Sequence, residues 1–282
     1  MTRFTLPAFL LVVLHSCGWH SDGPARLDEL YPAVDAADPG PKDVPVPDVS
    51  LGDVAGEGLP GHWAVRMVQK GEMLGMEITL ADLFLATVDS KSSKMTMTYC
   101  NQAMTLDTPG LVESQLPEIL IAAMAKASPE VTLPGDGSFP ASEVAWTWGL
   151  KLKNPKQDPI PTDGSDPTVW DQDGDGKPGI TVHVILPEKG DRYMVRRSLW
   201  SLGAGSLSQD GQRVTGTLTF TLDEACLGAV DQEGKPSNVL ATVAPITPAA
   251  DGSAWQMRRV AADYGCERLV AEHEAIFGQG SL

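Results

Sequence analysis

The sequence predicts an all-β fold, an antiparallel barrel that is closed or partly open and carries one or two short helices. A two-sheet β-sandwich is the alternative. Strand-like runs rich in β-branched and aromatic residues recur between residues 61 and 282, and clusters of Gly, Pro and Asp separate them. Only two stretches have the composition and apolar spacing of a helix.

Alternation of apolar and polar residues is cleanest at Met95–Cys100 and Val214–Leu222, which predicts half-buried strands there. The predicted helices are Pro117–Ala127 and Glu267–Phe277. The predicted strands are Trp63–Val68, Ile78–Val88, Met95–Cys100, Thr181–Ile185, Tyr193–Leu202, Val214–Leu222, Val239–Ile246 and Ala254–Ala261.

Composition divides the chain into three parts. Residues 1–16 contain Arg3 and the apolar run Leu6–Leu14, which is too short to span a bilayer as a helix and predicts a secretory signal peptide. Residues 17–60 contain many acidic residues and prolines and too little apolar surface to form a core, so we expect a disordered tether. Residues 61–282 are expected to form a single β-rich domain.

The signal peptide ends in Leu14-His15-Ser16-Cys17, which resembles the lipobox of bacterial lipoproteins. This resemblance implies that Cys17 is lipidated and anchors the chain to a lipid bilayer. Gly18 follows Cys17 where an Asp retains some lipoproteins at the inner membrane, so the outer membrane is expected. The alternative is an ordinary signal peptide with an incidental cysteine.

The formal net charge is −16, and Lys and Arg do not cluster. A chain of this charge is poorly suited to bind nucleic acid or anionic lipid. It suits a divalent cation or a basic partner instead.

Three cysteines remain after Cys17: Cys100, Cys226 and Cys266. Export to an oxidising compartment predicts one disulfide and one remaining thiol. Cys100 lies in a predicted strand and Cys266 follows the last one, so we favour the pair Cys100–Cys266 and leave the other pairings open.

The stretch Trp170–Thr181, WDQDGDGKPGIT, predicts a metal site. Asp171, Asp173 and Asp175 occupy relative positions 1, 3 and 5 of a calcium loop, and a glycine occupies position 6. The carbonyl of Lys177 would be the backbone ligand at position 7. The expected ion is a structural Ca²⁺, and the alternative is a solvated acidic turn without metal.

Position 12 is Val182, where an EF-hand has a bidentate Glu. A closing carboxylate would therefore come from elsewhere in the chain. Asp166 and Asp163, just upstream, are the predicted candidates.

The acidic loop, within Trp148–Gly216 and with Asp191–Arg197 and Cys266 as further matches, resembles a family of uncharacterised bacterial lipoproteins. The resemblance implies a signal peptide, a Pro/Asp-rich tether and one β-rich domain, and it implies no activity. Gly61-His62-Trp63 is similar to the Gly-x-Trp that opens the first strand of lipocalins, which implies a lipocalin-like barrel.

No catalytic motif is recognisable, so we expect no enzyme. The leading hypothesis is a membrane-anchored lipoprotein whose calcium-stabilised domain binds an unidentified small molecule or protein in the periplasm or at the cell surface. The alternatives are a secreted calcium-dependent hydrolase and a structural envelope module for protein contacts. An open lumen would favour ligand binding. An interior filled by Trp146, Trp148 and Trp200 would favour a module for protein contacts. A cleft that contains His183 beside two carboxylates would favour the hydrolase.

Overall fold

The computed structural model describes residues 58–89, 94–106, 113–133, 138–186 and 188–278. These residues belong to one compact unit. The predicted signal peptide, the lipidation site Cys17 and nearly all of the predicted tether lie outside the described residues.

The described residues form twelve strands and two helices. Both helices begin and end within one residue of the predicted positions. The strands are β1 Gly61–Met73, β2 Met76–Val88, β3 Lys94–Leu106, β4 Glu113–Gln115, β5 Glu130–Thr132, β6 Ser142–Trp148, β7 Ile180–Leu186, β8 Gly190–Leu202, β9 Ser206–Leu207, β10 Arg213–Asp231, β11 Thr247–Pro248 and β12 Ala254–Arg259, and the helices are α1 Glu118–Lys126 and α2 Cys266–Phe277.

All of the strand pairs are antiparallel, which confirms the predicted fold class. The main path of hydrogen-bonded strands runs β4-β7-β8-β10-β12-β1-β2-β3-β5, and β6, β9 and β11 pair at its side. Among the described residues this path does not return on itself. The sheet is therefore open, as in the partly open barrel and the sandwich, and is not a closed barrel.

The long strand β10 joins two halves of the sheet. Its first part, Arg213–Thr217, pairs with β12, and its second part, Leu218–Asp231, pairs with β8. We call β12, β1, β2, β3 and β5 with β9 and β11 the first half-sheet, and β4, β6, β7 and β8 the second half-sheet. β10 belongs to both.

Aromatic side chains fill the space between the two half-sheets. Alternation along β6 turns Trp146 and Trp148 inward, and both are buried. The Trp146 ring lies 5.1 Å from that of Trp148, 5.5 Å from that of Trp200 and 5.1 Å from that of Tyr99, centroid to centroid. Edge-to-face and tilted ring contacts at these distances are typical of a packed core. The space between the two half-sheets around Trp146 is therefore filled by side chains.

The predicted strand Val239–Ile246 is wrong. Its first part is a turn in which Ala241 and Thr242 donate to the carbonyls of Ser237 and Val239. Leu240 is buried there against Val184 and Ala229 of neighbouring strands. Leu240 therefore anchors a loop, and the chain pairs with β1 only after this run, at Thr247–Pro248.

A disulfide fastens α2 to the outer face of the first half-sheet. Cys100 of β3 and Cys266, the first residue of α2, are bonded with their Cα atoms 5.1 Å apart, which confirms the favoured pair. Arg66 of β1 donates to the carbonyls of Phe277 and Gly278 at the end of α2. Cys226 is half-buried and its thiol donates to the carbonyl of Gly228, 3.4 Å away.

Candidate metal site

The acidic loop lies between β6 and β7, and a close approach of two backbone segments fixes its base. A Cβ atom on Gly149 would lie 2.6 Å from the Cα of Gly179, so neither segment could approach the other if Gly149 carried a side chain. The N–H of Gln172 donates to the carbonyl of Gly179 at 3.0 Å, and that of Trp170 to the carbonyl of Gly149 at 3.1 Å. The two ends of the loop are thereby held together.

Gln172 points away from the acidic side chains and into the protein. Its Oε1 accepts from the N–H of Gly149 at 2.6 Å, and its Nε2 lies 3.0 Å from the Sδ of Met124 in α1. It is buried, although it stands between two aspartates in the sequence. It links the loop to the core.

Asp171, Asp173 and Asp175 converge, as the spacing predicts. One carboxylate oxygen from each lies within 4.8 Å of the others, and within the described ranges no other group of three or more His, Cys, Asp or Glu residues does this. Gly174 and Gly176 have φ angles of +75° and +83°, which allow the chain to bend between the aspartates. This group can hold a metal ion.

Backbone N–H groups of the loop orient Asp171. Its Oδ1 accepts from Gly174 at 2.7 Å and from Asp175 at 3.1 Å, and its Oδ2 accepts from Gly176 at 2.8 Å. Each carboxylate oxygen can accept more than one bond, so these contacts leave capacity for a cation.

Asp175 bridges the loop to the strand that follows. Its Oδ1 accepts from the N–H of Lys177 at 2.8 Å, and its Oδ2 accepts from the hydroxyl of Thr181 in β7. Asp175 is exposed, so solvent can reach the group from this side.

Asp173 is the buried member of the group. Its side chain is 5 % exposed, and its Oδ2 accepts from the N–H of Thr181 at 2.8 Å. Its Oδ1 is fully buried and has no hydrogen-bond partner among the described residues. A buried carboxylate oxygen without a donor is costly, and a cation among the three carboxylates would remove that cost.

The electrostatics of the group are unbalanced. Burial raises the pKa of Asp173, and the neighbouring charge of Asp175 raises it further. No Lys, Arg or His of the described chain forms an ion pair with the three aspartates. Lys177 is exposed, and its ammonium lies 5.3 Å from the ring centroid of Tyr193.

Asp163 and Asp166, the predicted closing ligands, are not part of the group. The Oδ1 of Asp163 accepts from the N–H and hydroxyl of Ser165, and that of Asp166 accepts from the N–H and hydroxyl of Thr168. These hydrogen bonds lower the pKa of both carboxyl groups. Both residues stabilise turns of the loop, and their role as ligands stays a prediction, as does that of the Lys177 carbonyl.

The sequence interpretation missed Gln172 and Thr181. The same alternation that places three aspartates on one side of the loop places Gln172 on the other, so this residue could have been found. Nothing in the sequence indicates that the N–H and the hydroxyl of Thr181 reach two different aspartates.

No family model, curated protein or solved structure matches this chain. In the part of the chain that the structure describes, neither helix has the length and apolar character needed to cross a bilayer. Fold and site together define an open antiparallel β protein with a three-carboxylate loop.

Proposed function

We propose that this chain is a lipid-anchored protein of the bacterial envelope whose β domain is a calcium-stabilised module for contact with another protein. The observation that carries the calcium part is the buried, unpartnered Oδ1 of Asp173 beside two further carboxylates. The observation that favours contact over binding in a lumen is the aromatic filling between the half-sheets.

Calcium fits the donor set better than other common ions. The group offers only oxygen atoms, whereas zinc sites are usually built from His and Cys. Ca²⁺ accepts irregular sets of carboxylate, carbonyl and water oxygens, whereas Mg²⁺ demands near-octahedral geometry and gives up its waters reluctantly. The exposed side at Asp175 leaves room for water ligands.

Thermal unfolding with and without calcium tests this site. A dissociation constant of about 10⁻⁴–10⁻³ M is typical of extracellular calcium modules, so about 10 mM calcium stabilises the native state by roughly 1.4–2.7 kcal/mol. For a domain of this size we expect the melting midpoint to rise by about 3–10 °C. Magnesium should have much less effect. Equal midpoints in calcium and in chelator would show that the loop binds no calcium under these conditions.

Matched variants locate the effect. Asp173→Asn keeps the shape of the side chain and should abolish the calcium-dependent rise. Asp231→Asn is the control, because Asp231 accepts from the N–H groups of Glu233 and Lys235 in a turn but does not belong to the group. Asp166→Asn and Asp163→Asn test whether either residue closes the site when an ion is bound.

A hydrolase is less well supported. Nδ1 of His183 lies 2.6 Å from Oδ1 of Asp191, but the two side chains are 49 % and 40 % exposed. They form a pair on the surface of neighbouring strands β7 and β8. A catalytic base needs a substrate pocket around it, and this pair is open to solvent instead.

The anchor rests on the sequence alone. Cys17→Ser should leave an unprocessed precursor or a released form that no longer partitions into detergent. If the variant partitions as the parent does, Cys17 is not the anchoring residue.

A further inference from the structure

The turn between β1 and β2, which we call the hairpin tip and define as residues 72–77, has an unusual backbone. Leu74 has a φ of +55° and Gly75 a φ of +79°. Within the described ranges Leu74 is the one residue other than glycine with positive φ. Positive φ at both central positions is the geometry of a type I′ turn, which favours Asn, Asp or Gly at the first of them. Leucine is strained there.

Leu74 also contributes nothing to the core. It is 69 % exposed, more than the other exposed large apolar residues of the described chain. The neighbouring Met73 and Ile78 are buried, so the tip continues outward from an apolar cluster. Leucine therefore neither fits the backbone geometry of the turn nor packs in the core.

Two like charges flank Leu74. Glu72 and Glu77 are directly opposite each other on β1 and β2, and both are exposed. Neither forms an ion pair in the described part of the chain. Like charges at opposed positions of an antiparallel pair destabilise the hairpin.

We propose that the hairpin tip is a docking element for a protein whose surface has an apolar pocket for Leu74 bordered by Lys or Arg side chains. Strained backbone, an exposed apolar side chain and opposed carboxylates coincide at one turn. Each of these features costs stability, so together they indicate that the turn serves to bind a partner. The basic border follows from charge complementarity with Glu72 and Glu77. This inference rests on the proposed contact function and names the surface that makes the contact.

The hairpin tip is poorly suited to bind an anionic membrane. Two carboxylates would approach the lipid headgroups together with Leu74, and the whole chain has a formal net charge of −16. Both features oppose adsorption to a negative surface.

The first measurement tests whether leucine serves the turn. Asn tolerates positive φ, so Leu74→Asn should raise the melting midpoint of the domain by relieving strain. Val239→Asn is the control, since Val239 is also an exposed apolar residue, 50 % exposed, but lies outside the hairpin. A lower midpoint for Leu74→Asn would mean that Leu74 stabilises the fold, and the proposal would be wrong.

The second measurement identifies the partner and its chemistry. A photo-crosslinking residue is placed at position 74 of the full, anchored chain in its own cells, and at position 239 as control. The protein captured at position 74 is purified and titrated against the domain. Leu74→Asn should weaken binding by about tenfold or more, the amount expected when a buried leucine is lost from a pocket. Val239→Asn should leave the affinity unchanged.

Glu72→Gln together with Glu77→Gln should weaken binding and reduce its dependence on salt concentration, because the charge attraction to a basic border is then lost. An unchanged affinity for these variants would contradict the proposal. So would co-sedimentation with phosphatidylglycerol vesicles that requires Leu74, since the occupant would then be a membrane.

Failure of the tip and failure of the contact function are distinguishable. If crosslinks form at other exposed positions and none at position 74, the domain makes protein contacts elsewhere and the tip is not the docking element. If no exposed position gives a crosslink, the contact function itself fails.

Discussion

Asp82 and Asp173 are both buried aspartates, but they differ in the hydrogen-bond donors that surround their carboxylate oxygens. Asp82 of β2 is 1 % exposed, and both of its oxygens accept hydrogen bonds. Gln69 donates to Oδ2 at 2.6 Å, and Gln102 donates to Oδ1 at 2.7 Å. Asp173 is 5 % exposed and has one oxygen with a donor and one without.

The donors around Asp82 form a directed chain from one half-sheet to the other. The carbonyl oxygen of the Gln69 side chain accepts from Trp200 of β8, and that of Gln102 accepts from Arg196 of the same strand, both at 3.2 Å. Arg196 in turn lies 3.2 Å from a carboxylate oxygen of Glu224. Burial raises the pKa of Asp82 to about 6, and the charge of Arg196 and the two amides oppose that rise.

The difference shows how each carboxylate is compensated. The chain itself supplies a donor to each oxygen of Asp82, so this carboxylate needs no ion to satisfy its hydrogen-bonding capacity. Asp173 lies beside two more carboxylates, and the N–H of Thr181 supplies a donor to only one of its two oxygens. A buried acid beside other acids therefore favours a cation, whereas a buried acid beside amides does not.

The largest expected effect is at Asp82. Asp82→Ala leaves the amides of Gln69 and Gln102 without their acceptor inside the protein, which should lower the free energy of unfolding by roughly 2–5 kcal/mol. Asp173→Ala, measured in chelator, should lower it by less, about 1–2 kcal/mol, because one buried donor, the N–H of Thr181, loses its acceptor while a repulsive carboxylate is removed. Urea unfolding of the two variants and the parent gives the values.

Equal losses for the two variants would contradict the comparison. Such a result would mean that Asp173 stabilises the protein without a metal as much as Asp82 does, and that its Oδ1 has a hydrogen-bond partner that the geometry does not reveal.

Local pattern was enough to predict much of this molecule. Met95–Cys100, predicted from its alternation, lies within β3, and Ile78–Val88, predicted from its continuous apolar run, lies within β2. The spacing of Asp171, Asp173 and Asp175 predicts their convergence, since alternate residues of a tight loop face the same side.

Contacts distant in sequence could not be predicted in this way. The sequence of Val214–Leu222 indicates a strand but not that β10 continues to Asp231 and passes from one half-sheet to the other. Asp82 is a single acid in an apolar run, and its burial depends on Gln69, Gln102 and Arg196 from three other strands. No local pattern identifies such partners.

The next effect in size is the pH dependence that Asp82 confers. The pKa of Asp82 is about 6 in the folded protein and 3.8 for an ordinary aspartate, so its contribution to stability is fully present below about pH 4 and is lost as the pH rises through 6. Acidification from pH 7.5 to 5 should therefore stabilise the parent by roughly 1–1.5 kcal/mol through this group.

Asp82→Asn should lack this part of the pH dependence, and unfolding in chelator at both pH values measures the difference between the two proteins. A carbon-13 titration of the Asp82 carboxyl group in the parent gives the same information if the variant does not fold. Arg196, Glu224 and Tyr99 also face this region, and burial raises the pKa of Tyr99, so Tyr99 does not titrate in this range. Identical pH dependence of parent and variant would exclude Asp82 as the titrating group.

The smallest effect distinguishes a metal ligand from a structural aspartate. In Asp173→Asn the side-chain carbonyl still accepts from the N–H of Thr181, and the amide replaces the unpartnered oxygen with a donor beside Asp171 and Asp175. Without calcium the variant should be more stable than the parent by roughly 0.5–1 kcal/mol, because a repulsive buried oxygen has become a hydrogen-bond donor. With about 10 mM calcium the order should reverse, because only the parent gains binding energy. Urea unfolding of both proteins in chelator and in calcium measures this exchange of rank. A variant that is less stable than the parent in both solutions would show that Asp173 stabilises the loop by itself, and the case for an ion at this site would be lost.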